Sequence, residues 1–345
     1  MNTHVITFFS KWVKGRGRHS VWKGKPMKKI LITGSMGQIG TEITALLRKA
    51  YGKDNVIASG LRHIPDHPVC ANGPYEVIDV TNGAQLAKAA AKYKVDTIVN
   101  LAAILSAIGE AKPQLLWDVN MNGLYNVLEL ARESNLAVFT PSSIAAFGPS
   151  TPADLTPQET IQRPNTIYGV SKVAGELLCD YYHKRYGVDT RGVRYPGLIS
   201  NGALPGGGTT DYAVHIFYEA IKTGQFTSNI AAGTFMDMMY MPDALDAIID
   251  LMEADPGRLT HRNAFNITAF SFDPDQLAGE IRKHIPSFKL HYDVDPVKQA
   301  IADSWPNSLD DSAARDQWDW KPKYDLPAMA ADMIKVLTEK LRPGQ

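Results

Sequence analysis

From Lys28 onward, short runs of β-branched and apolar residues alternate with longer stretches of helical periodicity. That alternation is the pattern of βαβ units, whose strands are buried on both faces and read as near-continuous apolar runs. The runs predict strands at KILIT (29–33), NVIAS (55–59), PYEVI (74–78), TIVNL (97–101), AVFTP (137–141) and DTRGVRY (189–195). Predicted helices lie between them: one to about Tyr51, one capped by Thr81 and running to about Tyr93, one from about Pro113 to Ser134, and one over Thr166–Tyr186. The fold class is therefore α/β, a Rossmann doubly wound parallel sheet with a smaller C-terminal substrate lobe.

Past Tyr195 the texture changes. GLISNGALPGGGTTD (197–211) carries five glycines and reads as a long ordered loop, a common place for function. The rest alternates short elements with proline turns. We read residues 196–345 mainly as substrate lobe, partly interleaved with a dinucleotide-binding domain over 27–195. Trp318 and Trp320 are read as packing of that lobe, and the methionine run FMDMMYM (235–241) as core or lobe boundary.

Composition changes the picture little, but it excludes several classes. Lys plus Arg and Asp plus Glu both number 36, so no net charge draws the chain to nucleic acid or an anionic membrane. No apolar run reaches the roughly 18 residues of a spanning helix. Two cysteines, Cys70 and Cys179, make neither a disulfide framework nor a Cys-rich zinc site, and they point to a reducing compartment. No metal is expected: His63 and His67 are separated by Pro65 and followed by Pro68, which breaks a shared helical face. Residues 1–26 hold Lys11, Lys14, Arg16, Arg18, Lys23 and Lys25, with no acid before Glu42. They read as a basic leader or extension outside the fold. The expected location is cytoplasmic, with a mitochondrial alternative if they are a transit peptide.

Gly34, Gly37 and Gly40 form G-x-x-G-x-x-G between the first strand and the first helix. In a dinucleotide site such glycines allow a tight turn, a close backbone approach to pyrophosphate, and close packing of helix on strand. The helix N-terminus, with the main chain of Gln38 and Ile39, then offers N–H groups to the phosphates. An acid is expected about 20 residues on, at the end of strand two, to hold the ribose of NAD. Gly60 stands there instead, with Arg62 close by, so NADP is not excluded. Asp79, after strand three, reads equally as an adenine-side contact or as a helix N-terminal acid.

Tyr168 and Lys172 lie four apart on one predicted helix face. A phenol titrates near 10, so base work near neutrality needs a drop of about three units. A neighbouring ammonium and the positive charge of an oxidised nicotinamide both push in that direction. Ser143, with Ser142 as its competitor, ends a strand-like run at the sheet edge, where a hydroxyl can hold a substrate oxygen.

With GSMGQIG, NLAA (100–103), PSSIAAFG (141–148) and YGVSK (168–172), the chain resembles the extended short-chain dehydrogenase/reductase superfamily from about Met27 to its end. The resemblance implies Ser143, Tyr168 and Lys172 as catalytic residues. It further implies cofactor contacts from Val80, Leu101, Ala102, Ala103, Asn120, Tyr195 and Pro196. NLAAILSA (100–107), PGGGTTDYA (205–213) and SWPNSLDDSAAR (304–315) are similar to the short-chain L-threonine 3-dehydrogenases. That family oxidises the 3-hydroxyl of L-threonine to 2-amino-3-ketobutyrate with NAD and works as homodimers. The likeness implies Ser106, Thr209, Thr210 and Asp211 as lining of an amino-acid pocket. The alternative is a nucleotide-sugar epimerase or dehydratase of the same superfamily, although the 197–211 loop has no Lys or Arg for a diphosphate. A non-catalytic dinucleotide sensor is a third reading, and loss of Tyr168 or Lys172 would be its mark.

Overall fold

The structure, a computed structural model, describes residues 27–341, so the basic leader lies outside the described residues. In chain order the first strands are β1 (Ile30–Thr33), β2 (Val56–Gly60), β3 (Tyr75–Val77), β4 (Thr97–Asn100), β5 (Ala137–Phe139), β6 (Ser142–Ser143), β7 (Asp189–Arg191) and β8 (Val193–Tyr195). Six of them form a parallel sheet in the order β3-β2-β1-β4-β5-β7. The apolar run of β1 is explained by burial on both faces. Ile30 and Ile32 join one core cluster with Ile43 and Leu47, while Leu31 joins another with Ile98 and Leu128. Strand order reverses between β1 and β4, which opens a crevice beyond the C-terminal strand ends.

Helices α1 (Gln38–Tyr51), α2 (Gly83–Tyr93), α3 (Gly123–Ser134) and α4 (Ile167–Tyr186) complete this half. Three details differ from expectation. Asn82, not Thr81, caps α2, accepting from the Gln85 amide, because Thr81 is turned back onto Asp79. The expected helix from Pro113 to Ser134 contains a π turn over Asp118–Asn122. The single strand expected over 189–195 is two strands. At Gly192 the chain steps out of the main sheet, and β8 pairs with β6 and with β11 (Phe265–Asn266) below. A Cβ at Gly192 would lie 2.2 Å from the Thr140 carbonyl oxygen, so the step requires glycine.

The second sheet orders β12 (Phe270–Phe272), β10 (Met236–Tyr240) and β9 (Gly197–Ile199). It packs with α5 (Tyr212–Thr223) and α7 (Leu326–Leu341) in its own cluster. Helix α6 (Met241–Glu253) returns to the first half and packs with β1 and α1. Met239 and Met241 belong to the first cluster and Met236 and Met238 to the second, so the methionine run straddles the boundary. Trp318 and Trp320 join the cluster of Ile30 and Ile43 rather than the small lobe, which corrects the reading of these two residues. Among the described residues no helix is long and apolar enough to cross a membrane, and no group of three or more His, Cys, Asp or Glu forms a metal site. His67 caps a short helix by accepting from the Val69 amide, and His63 sits edge-on to Tyr75.

Candidate active site

A cleft of about 1170 Å³, counting the open space at its mouth, runs along the crevice. At one end is the glycine turn. Gly34 has φ +65°, and a Cβ there would lie 2.7 Å from the Ala102 amide nitrogen; a Cβ on Gly40 would lie 2.3 Å from the Gly34 carbonyl oxygen. These two glycines let turn, strand and helix touch. Gly37 differs: a Cβ there would meet only the Gly34 oxygen, at 3.4 Å, and its other side faces open space. Gly37 is also the N-cap of α1, which has no side-chain acceptor and no acid in its first turn. Gln38 Nε2 is buried with no hydrogen-bond partner among the described residues. A free helix N-terminus, an unused donor and room for a backbone approach together fit a pyrophosphate.

The middle of the cleft belongs to α4. Thr166 caps this helix by accepting from the Gly169 amide, which puts Tyr168 in the first turn. Gly169 has no room for a side chain, since its Cβ would lie 2.2 Å from the Ala145 carbonyl oxygen. That close approach brings Tyr168 and Ser143 into the same cleft. Lys172 Nζ donates to the Pro141 carbonyl at 2.8 Å and stands 5.3 Å from the centroid of the Tyr168 ring. Ser142 is committed elsewhere. Its hydroxyl donates to Glu176, which also pairs with Arg194 at 2.8 Å in a buried ion pair. Ser143 Oγ only accepts from the Ala145 amide, so its proton remains available to the cleft.

The far end is built by the 197–211 loop. Thr209, Thr210 and Asp211 form a short turn ahead of α5 and line the cleft with Ser106. Asp211 Oδ2 accepts from the Gly207 and Gly208 amides, both at 2.8 Å, which holds the loop closed on itself. Burial pushes the Asp211 carboxyl above its ordinary range, and those two amides pull it back only in part. Lys172 is the single cation among the lining residues and Asp211 the single anion.

Most of the residues expected from sequence thus meet in one cleft: Gly34, Gly37, Gln38, Ile39, Gly40, Leu101, Ala103, Ser106, Ser143, Tyr168, Lys172, Tyr195, Pro196, Thr209, Thr210 and Asp211. Five expected cofactor contacts fall outside its lining. Ala102 abuts Gly34, and Val80 packs against Gly123. Asp79 Oδ1 accepts from the amide and hydroxyl of Thr81, a helix-entry role. Asn120 sits on the π turn, where its amide spans the N–H and C=O of Ile104 and reaches Ser171. Arg62 is exposed past the end of β2. Trp305, from the distant C-terminal segment, lines the cleft and was not among the expected residues.

A parallel sheet with this strand order, a glycine turn at its switch point and Tyr168 and Lys172 on one helix define a Rossmann-type protein of the extended short-chain dehydrogenase/reductase class. The chain belongs to the NAD dependent epimerase/dehydratase family, whose model matches residues 30–268. Similar proteins carry two kinds of name. An uncharacterized epimerase/dehydratase of Staphylococcus haemolyticus is 56% identical over 91% of this chain and 99% of its own length. The L-threonine dehydrogenase of Clostridium difficile is 60% identical, with a TM-score of 0.90 over 92% of this chain and 99% of that one. The GalE-like L-threonine dehydrogenase of Cupriavidus necator, in its holo form, is 48% identical, with a TM-score of 0.87 over 90% of this chain and 99% of that one.

Proposed function

We propose that the protein oxidises the 3-hydroxyl of L-threonine to 2-amino-3-ketobutyrate, with NAD as hydride acceptor. The observation that carries this reading is the charge of the cleft: one lysine and one aspartate line it, and no arginine does. A nucleotide-sugar diphosphate calls for several cationic groups, whereas a zwitterionic amino acid balances its own charge. The threonine dehydrogenase neighbours support the same choice.

When bound, the nicotinamide supplies the hydride acceptor. The chain's own residues do the rest. The glycine turn and the N-terminus of α1 hold the pyrophosphate. Ser143 donates to the substrate hydroxyl oxygen and fixes its orientation, and Tyr168 takes the proton from that oxygen. Lys172, tethered to the Pro141 carbonyl, keeps a positive charge beside the ring. Ser106, Thr209, Thr210 and Asp211 hold the amino-acid end, and Asp211 is the anion facing a substrate ammonium. The test is purified protein with L-threonine and NAD, followed at the absorbance band of reduced nicotinamide. Reduction with L-threonine supports the reading. Turnover of nucleotide sugars alone would favour an epimerase or dehydratase, and silence with both a dinucleotide sensor.

The small-molecule enzyme proposed here works as a homodimer. Val170, Leu177 and Tyr181 recur on one face of α4, with Leu177 62% and Tyr181 51% exposed. Tyr125 of α3 is also exposed, and it sits edge-on to the buried ring of Tyr182, which itself sits edge-on to Tyr181. Such a contiguous apolar face suits self-association about a two-fold axis. Light scattering is expected to show twice the chain mass for the protein and a single chain mass for Leu177→Asp. A monomeric parent or a dimeric variant overturns the assignment.

A further inference from the structure

The crevice edge that takes the adenosine half of a dinucleotide is built from the ends of β2 and β3, and its chemistry is unusual for an NAD site. Gly60 ends β2 and is paired with Val77 of β3. A Cβ at this position would lie 2.8 Å from the Tyr75 hydroxyl, so any side chain there has to displace the tip of Tyr75. Tyr75 is held there by donating to the Arg62 carbonyl oxygen at 2.7 Å and by the edge contact with His63. Burial pushes the phenol up to about 12, so it remains a neutral donor. The carboxylate that β3 leads to, Asp79, stands beyond β2 and accepts from Thr81 through its Oδ1.

The position where a Rossmann site places an acid against the ribose therefore carries none, and the phenol of a neighbouring strand fills the space. An acid there does two things: it accepts from the 2′-hydroxyl, and it repels a 2′-phosphate. Both effects are missing here. Arg62, whose backbone is fastened beside Gly60 through Tyr75, is exposed, and its guanidinium makes no hydrogen bond or ion pair among the described residues. A guanidinium without an acceptor, next to a strand end without an acid, is an arrangement that receives a phosphate.

We propose that this end of the cleft is unselective at the ribose 2′-position, binding NADP as well as NAD, with Arg62 as the partner of the 2′-phosphate. The proposal rests on the reading of the cleft as a dinucleotide site and goes beyond it. The test is direct binding of NADH and NADPH to the protein without substrate, followed by nicotinamide fluorescence, for the parent chain, Arg62→Ala and Arg62→Lys. In the parent the two dissociation constants are expected within about tenfold of each other, since no repulsive carboxylate separates them. Arg62→Ala is expected to raise the NADPH-to-NADH ratio about tenfold or more, the worth of a charge-assisted hydrogen bond. Arg62→Lys recovers part of that loss, because it keeps the charge without the fork. A parent that binds NADPH about a hundredfold more weakly than NADH overturns the proposal. So does a ratio that Arg62→Ala leaves alone. Binding of neither dinucleotide overturns the cofactor reading itself, a result distinguishable from both.

Discussion

Tyr168→Phe is expected to lower turnover about 100- to 10,000-fold, the range for loss of a positioned acid–base group. The substitution removes one oxygen and leaves the ring, its place in the first turn of α4 and its position beside Lys172. NADH titration should therefore show near-parental affinity. The separation of the two readouts is the point of the experiment. Lost binding would mean a structural role for the phenol, and retained turnover would remove Tyr168 from the mechanism. Ser143→Ala is the natural companion, because the hydroxyl of Ser142 is already committed to Glu176 and cannot take over without breaking that contact.

The second large effect is expected at the glycine turn, where position decides the kind of damage. Gly34→Ala forces an L-residue to φ +65°, at roughly 1–2 kcal/mol. It also drives a methyl to 2.7 Å from the backbone of Leu101 and Ala102, atoms of the chain leaving β4 that cannot swing aside like a side chain. We expect a thermal midpoint lowered by roughly 5 °C or more and NADH affinity weakened along with it. Gly37→Ala is the contrast. Its methyl meets only one oxygen, at 3.4 Å, so the midpoint should hold. Dinucleotide affinity should still fall, because the methyl occupies the approach of the pyrophosphate. Undiminished NADH binding by Gly37→Ala would show that the turn does not cradle the cofactor.

Local signals in the sequence carried much of this architecture. The glycine triplet and the Tyr168–Lys172 pair are set by spacing within one turn and one helix, so they could be read directly. The central strands were equally visible, because β1 and β4 are buried on both faces and leave unbroken apolar runs. What stayed hidden depends on partners far away in the chain. The split between β7 and β8 follows from the Thr140 carbonyl crowding Gly192, yet the residues on either side of Gly192 are equally β-prone. The contrast between Ser142 and Ser143 depends on Glu176, 34 positions on. The anchoring of Asn120 depends on Ile104, whose N–H and C=O its side-chain amide spans. Nothing local to Trp305 indicates that it reaches the cleft.

The step at Gly192 also bears on how the chain assembles as it is made. Strand β8 is flanked by β6 and by β11, and the core around Ile30 is closed by α6, Trp318 and Trp320. A nascent chain that has just delivered β7 therefore has its nucleotide-side sheet but not the residues that seal it. Apolar surface around β1 and α1 stays open to water until about 130 further residues have emerged. In this protein two tryptophans made long after β1 act as the keystone of that strand.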